Sequence, residues 1–234
     1  MMVDARNILR SSGQRRYLAR YASVKLAWQV VVLAIIFVAT AHAEDANTDV
    51  ASPKDVQAKL AYCEVCHGVS AQGFHGYYPI PRLAGQQVEY LKNQLQAFIE
   101  HRRTNNIMFN VGHVLSPAMI TALTTNFNEL NPKPLGGATK DLAADGKKLF
   151  EEGIAASKVP ACSSCHGPEA KGNGPFPRLA GQLYDYLTNK LTNWDKERGQ
   201  ISSQPDTSAI MEPIAHNLTQ SQIKAVAAYL SYLE

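Results

Sequence analysis

The sequence predicts an all-α protein built from two tandem copies of one helical unit. Three observations carry this. The same landmarks recur in the same order in both halves of the 234-residue chain. Apolar residues fall at helical spacing. The alternating β-branched runs that a sheet needs are absent from the sequence.

The landmarks are specific. "YCEVCHG" at 62–68 returns as "ACSSCHG" at 161–167, and the two copies use all four cysteines. "PRLAGQ" at 81–86 returns at 177–182, eighteen and fifteen residues beyond the first cysteine of each half. "VEYLKNQLQAF" and "LYDYLTNKLTNW" follow. Then "MFNVGHVLSP" at 108–117 matches "MEPIAHNLTQ" at 211–220, with methionine seven positions ahead of leucine in both. Shared order and similar spacing mark a tandem duplication. The seam is "NPKPLGGATK" at 131–140, rich in Pro and Gly. The expected layout is a first domain over 44–133, a linker over 134–140 and a second domain over 141–234.

Residues 1–43 stand apart. Six basic residues and one acidic one precede the apolar run "LAWQVVVLAIIFVATA", and "AHA" ends at Ala43. That order predicts a secretory signal peptide. Retention as a membrane anchor is the alternative, although the run is shorter than the ~20 residues of a spanning helix. The formal net charge of the chain is +3, and loss of the five net positive charges of this segment leaves about −2. No basic stripe with interleaved aromatics remains, which argues against nucleic acid as a partner.

Helices are expected in order. "PKDVQAKLAYC" leads into the first cysteine pair. Tyr90, Leu91, Gln94, Leu95 and Phe98 share one helical face, repeated by Tyr186, Leu187, Lys190, Leu191 and Trp194. The apolar members read as core; Gln94 and Lys190 read as its margin. Ser116 before Pro117 signals the start of the first half's last helix. "DLAADGKKLFEEG" opens the second half, set off from its cysteines by a loop with Pro160. Thr219 and Gln222 form a capping-box pair at the start of the final helix.

The cysteine spacing decides the chemistry. A zinc site needs four ligands per half, and each motif offers three. A thioredoxin-like site belongs near a βαβ pattern. A disulfide would leave both histidines without a role. C-x-x-C-H is instead a c-type haem attachment: Cys63 and Cys66, then Cys162 and Cys165, would form thioethers, and His67 and His166 would be axial imidazoles. Two haem c groups are therefore expected, and they supply the centre that halves of under 100 residues lack.

The sixth ligand separates electron transfer from ligand activation. Met108 and Met211 occupy matching positions, in expected loops before the last helix of each half, and are the candidate ligands. Met119 has no counterpart and reads as core. His113 and His216, each five residues after its methionine, are the alternative ligands. His75 and His101 lack repeat partners and read as surface. Pro81 and Pro177 could offer carbonyls to the second nitrogen of each ligating histidine. Arg82 and Arg178 could balance haem propionates; simple solvation is the alternative.

With these residues in place, the chain resembles class I c-type cytochromes and, more narrowly, the dihaem cytochrome c4 family. The resemblance covers nearly all of 50–234. It rests on "CEVCHG", "GKKLFEEG", "PACSSCHG", both "PRLAGQ" copies and the two methionine segments. It implies two cytochrome c domains related by a pseudo-twofold, with covalent haem at Cys63, Cys66, Cys162 and Cys165 and His/Met ligation by His67, Met108, His166 and Met211. It also implies periplasmic electron carriage between respiratory-chain components, toward a haem-copper terminal oxidase or from an upstream reductase, with no small-molecule substrate. Service as the cytochrome subunit of a periplasmic dehydrogenase is the alternative; a dihaem peroxidase is a weaker one, since both halves carry a methionine. The family's glycine in the first helix is Gly146 in the second half but Ala58 in the first, which implies looser packing in the first domain.

Overall fold

Each half opens and closes with a helix, and the two terminal helices of a half pack on each other. The structure, a computed structural model, describes residues 50–198 and 207–234; the expected signal peptide lies outside the described residues. The first half holds α1 (Pro53–His67), α2 (Val88–Ile99), α3 (Asn106–Gly112) and α4 (Pro117–Glu129). The second holds α5 (Ala143–Glu152), α6 (Ser163–His166), α7 (Tyr184–Thr192), α8 (Trp194–Glu197), α9 (Met211–His216) and α10 (Gln220–Ser231). Among the described residues, strand pairing is limited to isolated bridges. Among the same residues, no single helix is long and apolar enough to cross a membrane.

The starts follow the chemistry of their caps. Ser116 accepts from the Met119 N–H, and Pro117 takes the first turn, where its missing N–H costs nothing. At α10, Thr219 accepts from the Gln222 N–H at 3.3 Å while the Gln222 side chain accepts from the Thr219 N–H at 2.8 Å. Two expectations shift. Met108 and Met211 sit in the short helices α3 and α9 rather than in loops. The helix of Tyr186 ends at Thr192, because Asn193 leaves helical geometry, and Trp194 opens the separate α8.

The halves differ in how tightly their helices meet. In α5, Gly146, Leu149 and Phe150 are buried against α10. A Cβ on Gly146 would lie 2.0 Å from the Ala225 carbonyl oxygen, so only glycine permits this crossing. In α1 only His67 is buried, and Ala58 is exposed. The first core gathers Ala71, Ala84, Leu91, Leu115, Leu123 and Phe127, with Met119 packed against it as expected.

Polar contacts join the halves. Arg103 stacks on Phe98 at 4.7 Å and donates to Tyr186 of the second half at 2.8 Å. Arg198 stacks on Trp194 at 4.7 Å and donates to Tyr90 of the first half. Gln94 Oε1 accepts from both guanidinium groups, at 2.7 Å each. Lys190 pairs with Glu197, whose backbone carbonyl accepts from the Thr104 N–H at 2.8 Å. Gln94 and Lys190 are both half-buried, as residues at the margin of a stripe should be; Gln94 also reaches across to the second half, while Lys190 pairs within it.

Candidate functional site

Both C-x-x-C-H motifs end a helix at histidine. Gly68 and Gly167 follow with φ of 78° and 79°, a backbone that glycine adopts without strain, and the chain turns away. The turn closes on itself: the His67 carbonyl accepts from the Gly73 N–H at 2.7 Å, and the His166 carbonyl from the Gly172 N–H at 2.8 Å. His67 and His166 are buried. Cys66 and Cys165 are exposed, and Cys63 and Cys162 are half-buried. Burial pushes the Cys63 thiol up, and the Cys162 thiol up to about 11.

"PRLAGQ" wraps the histidine in each half. His67 Nδ1 lies 2.9 Å from the Pro81 carbonyl, and His166 Nδ1 lies 2.9 Å from the Pro177 carbonyl. A carbonyl only accepts, so Nδ1 carries the proton and Nε2 keeps its lone pair for a metal. Burial holds both imidazoles below the ordinary histidine value, with the carbonyl partly opposing it. Each ring is thus kept neutral, as ligation requires. The next residues fix the loop. The Ala71 carbonyl accepts from the Leu83 and Ala84 N–H groups, and the Ala170 carbonyl from those of Leu179 and Ala180. The Gly85 and Gly181 N–H groups reach Phe127 and Leu230, near the C-terminal end of the last helix of each half.

Arg82 and Arg178 are only 3% and 8% exposed, which rules out simple solvation. Arg82 donates to the carbonyls of Ala84 and Pro132 at 3.0 and 2.8 Å; Arg178 donates from Nε to the Ala180 carbonyl at 3.0 Å. Burial and the neighbouring Arg178 lower the Arg82 guanidinium to about 10. Among the described residues no ion pair reaches either one, and Arg178 Nη2 is buried without a partner. Two buried cations of this kind call for an anion, and a haem carboxylate has the right chemistry.

Met108 and Met211 are half-buried at matching positions of α3 and α9. Their rival histidines, His113 and His216, are both exposed, whereas His67 and His166 are buried. His113 stacks on Phe109 and bonds its carbonyl at 3.0 Å; His216 pairs with Asp195. His75 is not simply solvated, since Nδ1 lies 3.3 Å from Asp185 of the second half. Unforeseen in the sequence are Gln86 and Gln182. Each is buried and pairs with the backbone of the opposite half's arginine. Their signal was the exact repetition of a polar residue inside a duplicated motif.

A doubled helical unit with two neutral, tautomer-fixed imidazoles behind paired thiols defines a dihaem c-type cytochrome, an electron carrier. A family model described as Cytochrome c matches residues 56–133 and again 143–234. The chain belongs to the cytochrome c family and, within it, to the dihaem cytochromes c4, and its cofactors are two covalently attached haem c groups. It is 41% identical over 177 residues to cytochrome c-552 of Acidithiobacillus ferridurans, covering 73% of each chain. It is 38% identical over 178 residues to a protein of Thiomonas intermedia named thiosulfate dehydrogenase electron acceptor, covering 74% of this chain and 79% of that one. The solved structure of Acidithiobacillus ferrooxidans cytochrome c4 matches with a TM-score of 0.62 at 40% identity, over 74% of this chain and 99% of that chain.

Proposed function

We propose that the chain is an exported, periplasmic electron shuttle between respiratory-chain components, passing electrons toward a terminal oxidase. Cys63 and Cys66 would bind one haem, and Cys162 and Cys165 the other. His67 with Met108, and His166 with Met211, would be the axial pairs. When bound, each haem supplies a one-electron couple. The residues around it fix the imidazole, exclude water and balance charge. The observation that carries this reading is the matched hydrogen bond from each histidine Nδ1 to its proline carbonyl, which leaves each Nε2 to face a metal. With an imidazole and a thioether holding each haem, little rearrangement would accompany electron exchange and no site would remain for substrate.

A second reading concerns the donor. The Thiomonas intermedia relative bears the name of an electron acceptor for thiosulfate dehydrogenase, which favours a sulfur-compound dehydrogenase as the electron source. The test is a redox titration of the exported protein with absorption spectra. A reduced c-type α-band and a far-red sulfur-to-iron band on oxidation are expected for both haems. Ready binding of carbon monoxide to either reduced haem at neutral pH refutes the closed, six-coordinate assignment. Reduction by a thiosulfate-oxidising partner, compared with reduction by a quinol-oxidising one, separates the two donor readings.

A further inference from the structure

One peptide group in each half carries two hydrogen bonds with different destinations. The peptide joining Pro81 to Arg82 offers its carbonyl to His67 Nδ1 at 2.9 Å and its N–H to Gln182 Oε1 at 2.9 Å. The peptide joining Pro177 to Arg178 offers its carbonyl to His166 Nδ1 at 2.9 Å and its N–H to Gln86 Oε1 at 2.7 Å. Each glutamine belongs to the opposite half. Its amide then donates back, from Gln182 Nε2 to the Arg82 carbonyl at 3.0 Å and from Gln86 Nε2 to the Arg178 carbonyl at 2.9 Å. The second lone pair of each side-chain carbonyl is also used, by the Leu183 N–H at 3.0 Å and the Gln87 N–H at 2.9 Å. His67, Arg82, Gln86, His166, Arg178 and Gln182 are all buried, so water does not compete.

Hydrogen bonds in series through an amide polarise one another. An acceptor drawing on the peptide N–H raises electron density on the carbonyl oxygen. That oxygen then pulls harder on the histidine Nδ1–H, and the imidazole becomes more basic at Nε2. A more basic ligand favours the more positively charged iron and lowers the reduction potential. We propose that Gln182 tunes the first haem and Gln86 the second, so that each haem's potential is set in part by a side chain from the other half. Both glutamines act as positioning residues, through the peptide and the histidine. The proposal rests on His67 and His166 being the axial ligands.

A glutamine that merely held the halves together would move both haems alike when removed. The discriminating result is therefore crossed. Gln182→Leu and Gln86→Leu are made in the holoprotein. Potentials are read by redox titration followed by NMR, each haem through the ring signals of its own histidine. Gln182→Leu is expected to raise the potential of the His67 haem, to move the His67 Nδ1–H signal toward a weaker hydrogen bond, and to leave the His166 haem close to wild type. Gln86→Leu is expected to do the reverse. Gln182→Glu keeps an acceptor oxygen on the Arg82 N–H; it is expected to lower the first haem's potential by more than the second's, and it serves if the leucine variant does not accumulate. Equal shifts at both haems, or none at either, overturn the proposal. Wild-type ring signals of His67 or His166 that show no displacement by a bound haem would instead overturn the ligand assignment beneath it.

Discussion

Replacing Gly146 by alanine tests the tight helix crossing in the second half. The new Cβ would lie 2.0 Å from the Ala225 carbonyl oxygen, 2.6 Å from its carbonyl carbon and 2.8 Å from Tyr229 Cβ. Two of these atoms are helix backbone, which no rotamer change can move aside. α5 and α10 must therefore separate, loosening the contact of Phe150 with Tyr229, whose rings are 5.7 Å apart. Overpacking costs roughly 1–3 kcal/mol, and a backbone collision belongs at the upper end, ~3 kcal/mol. A domain of this size loses about 4–8 °C of Tm per kcal/mol, so a fall of roughly 12–24 °C is expected. The assay is thermal unfolding of the holoprotein, followed by far-ultraviolet circular dichroism and haem absorbance. Ala58→Gly in the first half is the companion variant. Ala58 is exposed, so glycine there relieves no crowding and costs only its helix penalty, about 0.5–1 kcal/mol. A Gly146→Ala protein within about 0.5 kcal/mol of wild type, the ordinary range for a neutral surface change, would refute the argument from close approach.

Three further outcomes follow from particular contacts. Tyr186→Phe deprives the buried Arg103 guanidinium of a 2.8 Å acceptor and should cost about 1–3 kcal/mol in denaturant unfolding; an unchanged midpoint would show that the contact carries nothing. Thr219→Ala removes the α10 capping box and should cost about 1 kcal/mol in denaturant unfolding; an unchanged midpoint would show that the cap carries nothing. The Asp195 carboxylate holds the His216 imidazole above the ordinary histidine value. The pair's contribution to stability is full at pH below the unfolded histidine value and fades as pH rises through the folded one. Asp195→Asn should bring the His216 titration back down in an NMR pH series; an unmoved curve would sink the pairing.

Much of the site was legible because duplication marks it twice. C-x-x-C-H states its chemistry in five residues, and the proline carbonyls could be anticipated because a ligating histidine needs an acceptor at its second nitrogen. The capping residues at Ser116 and Thr219 were legible because caps depend on local sequence alone. The partners of Gln86, Gln182, Gln94 and Lys190 were not, since helical periodicity reports which face of a segment is apolar but not which distant segment meets its polar residues. The short helices around Met108 and Met211 span seven and six residues, too few for a periodic signal. Asn193 breaks its helix without glycine or proline to announce it.

The charges between the halves are enclosed: Arg103 and Arg198 are 7% and 6% exposed, and Lys190 and Glu197 sit partly covered beside them. Dissolved ions screen such groups poorly, while charges on the outer surface are screened within about 10 Å at 0.1 M salt. Ionic strength therefore acts on this molecule from outside only. A rate of electron delivery that falls with added salt reports how the carrier meets its partners, with the enclosed contacts between its halves left undisturbed.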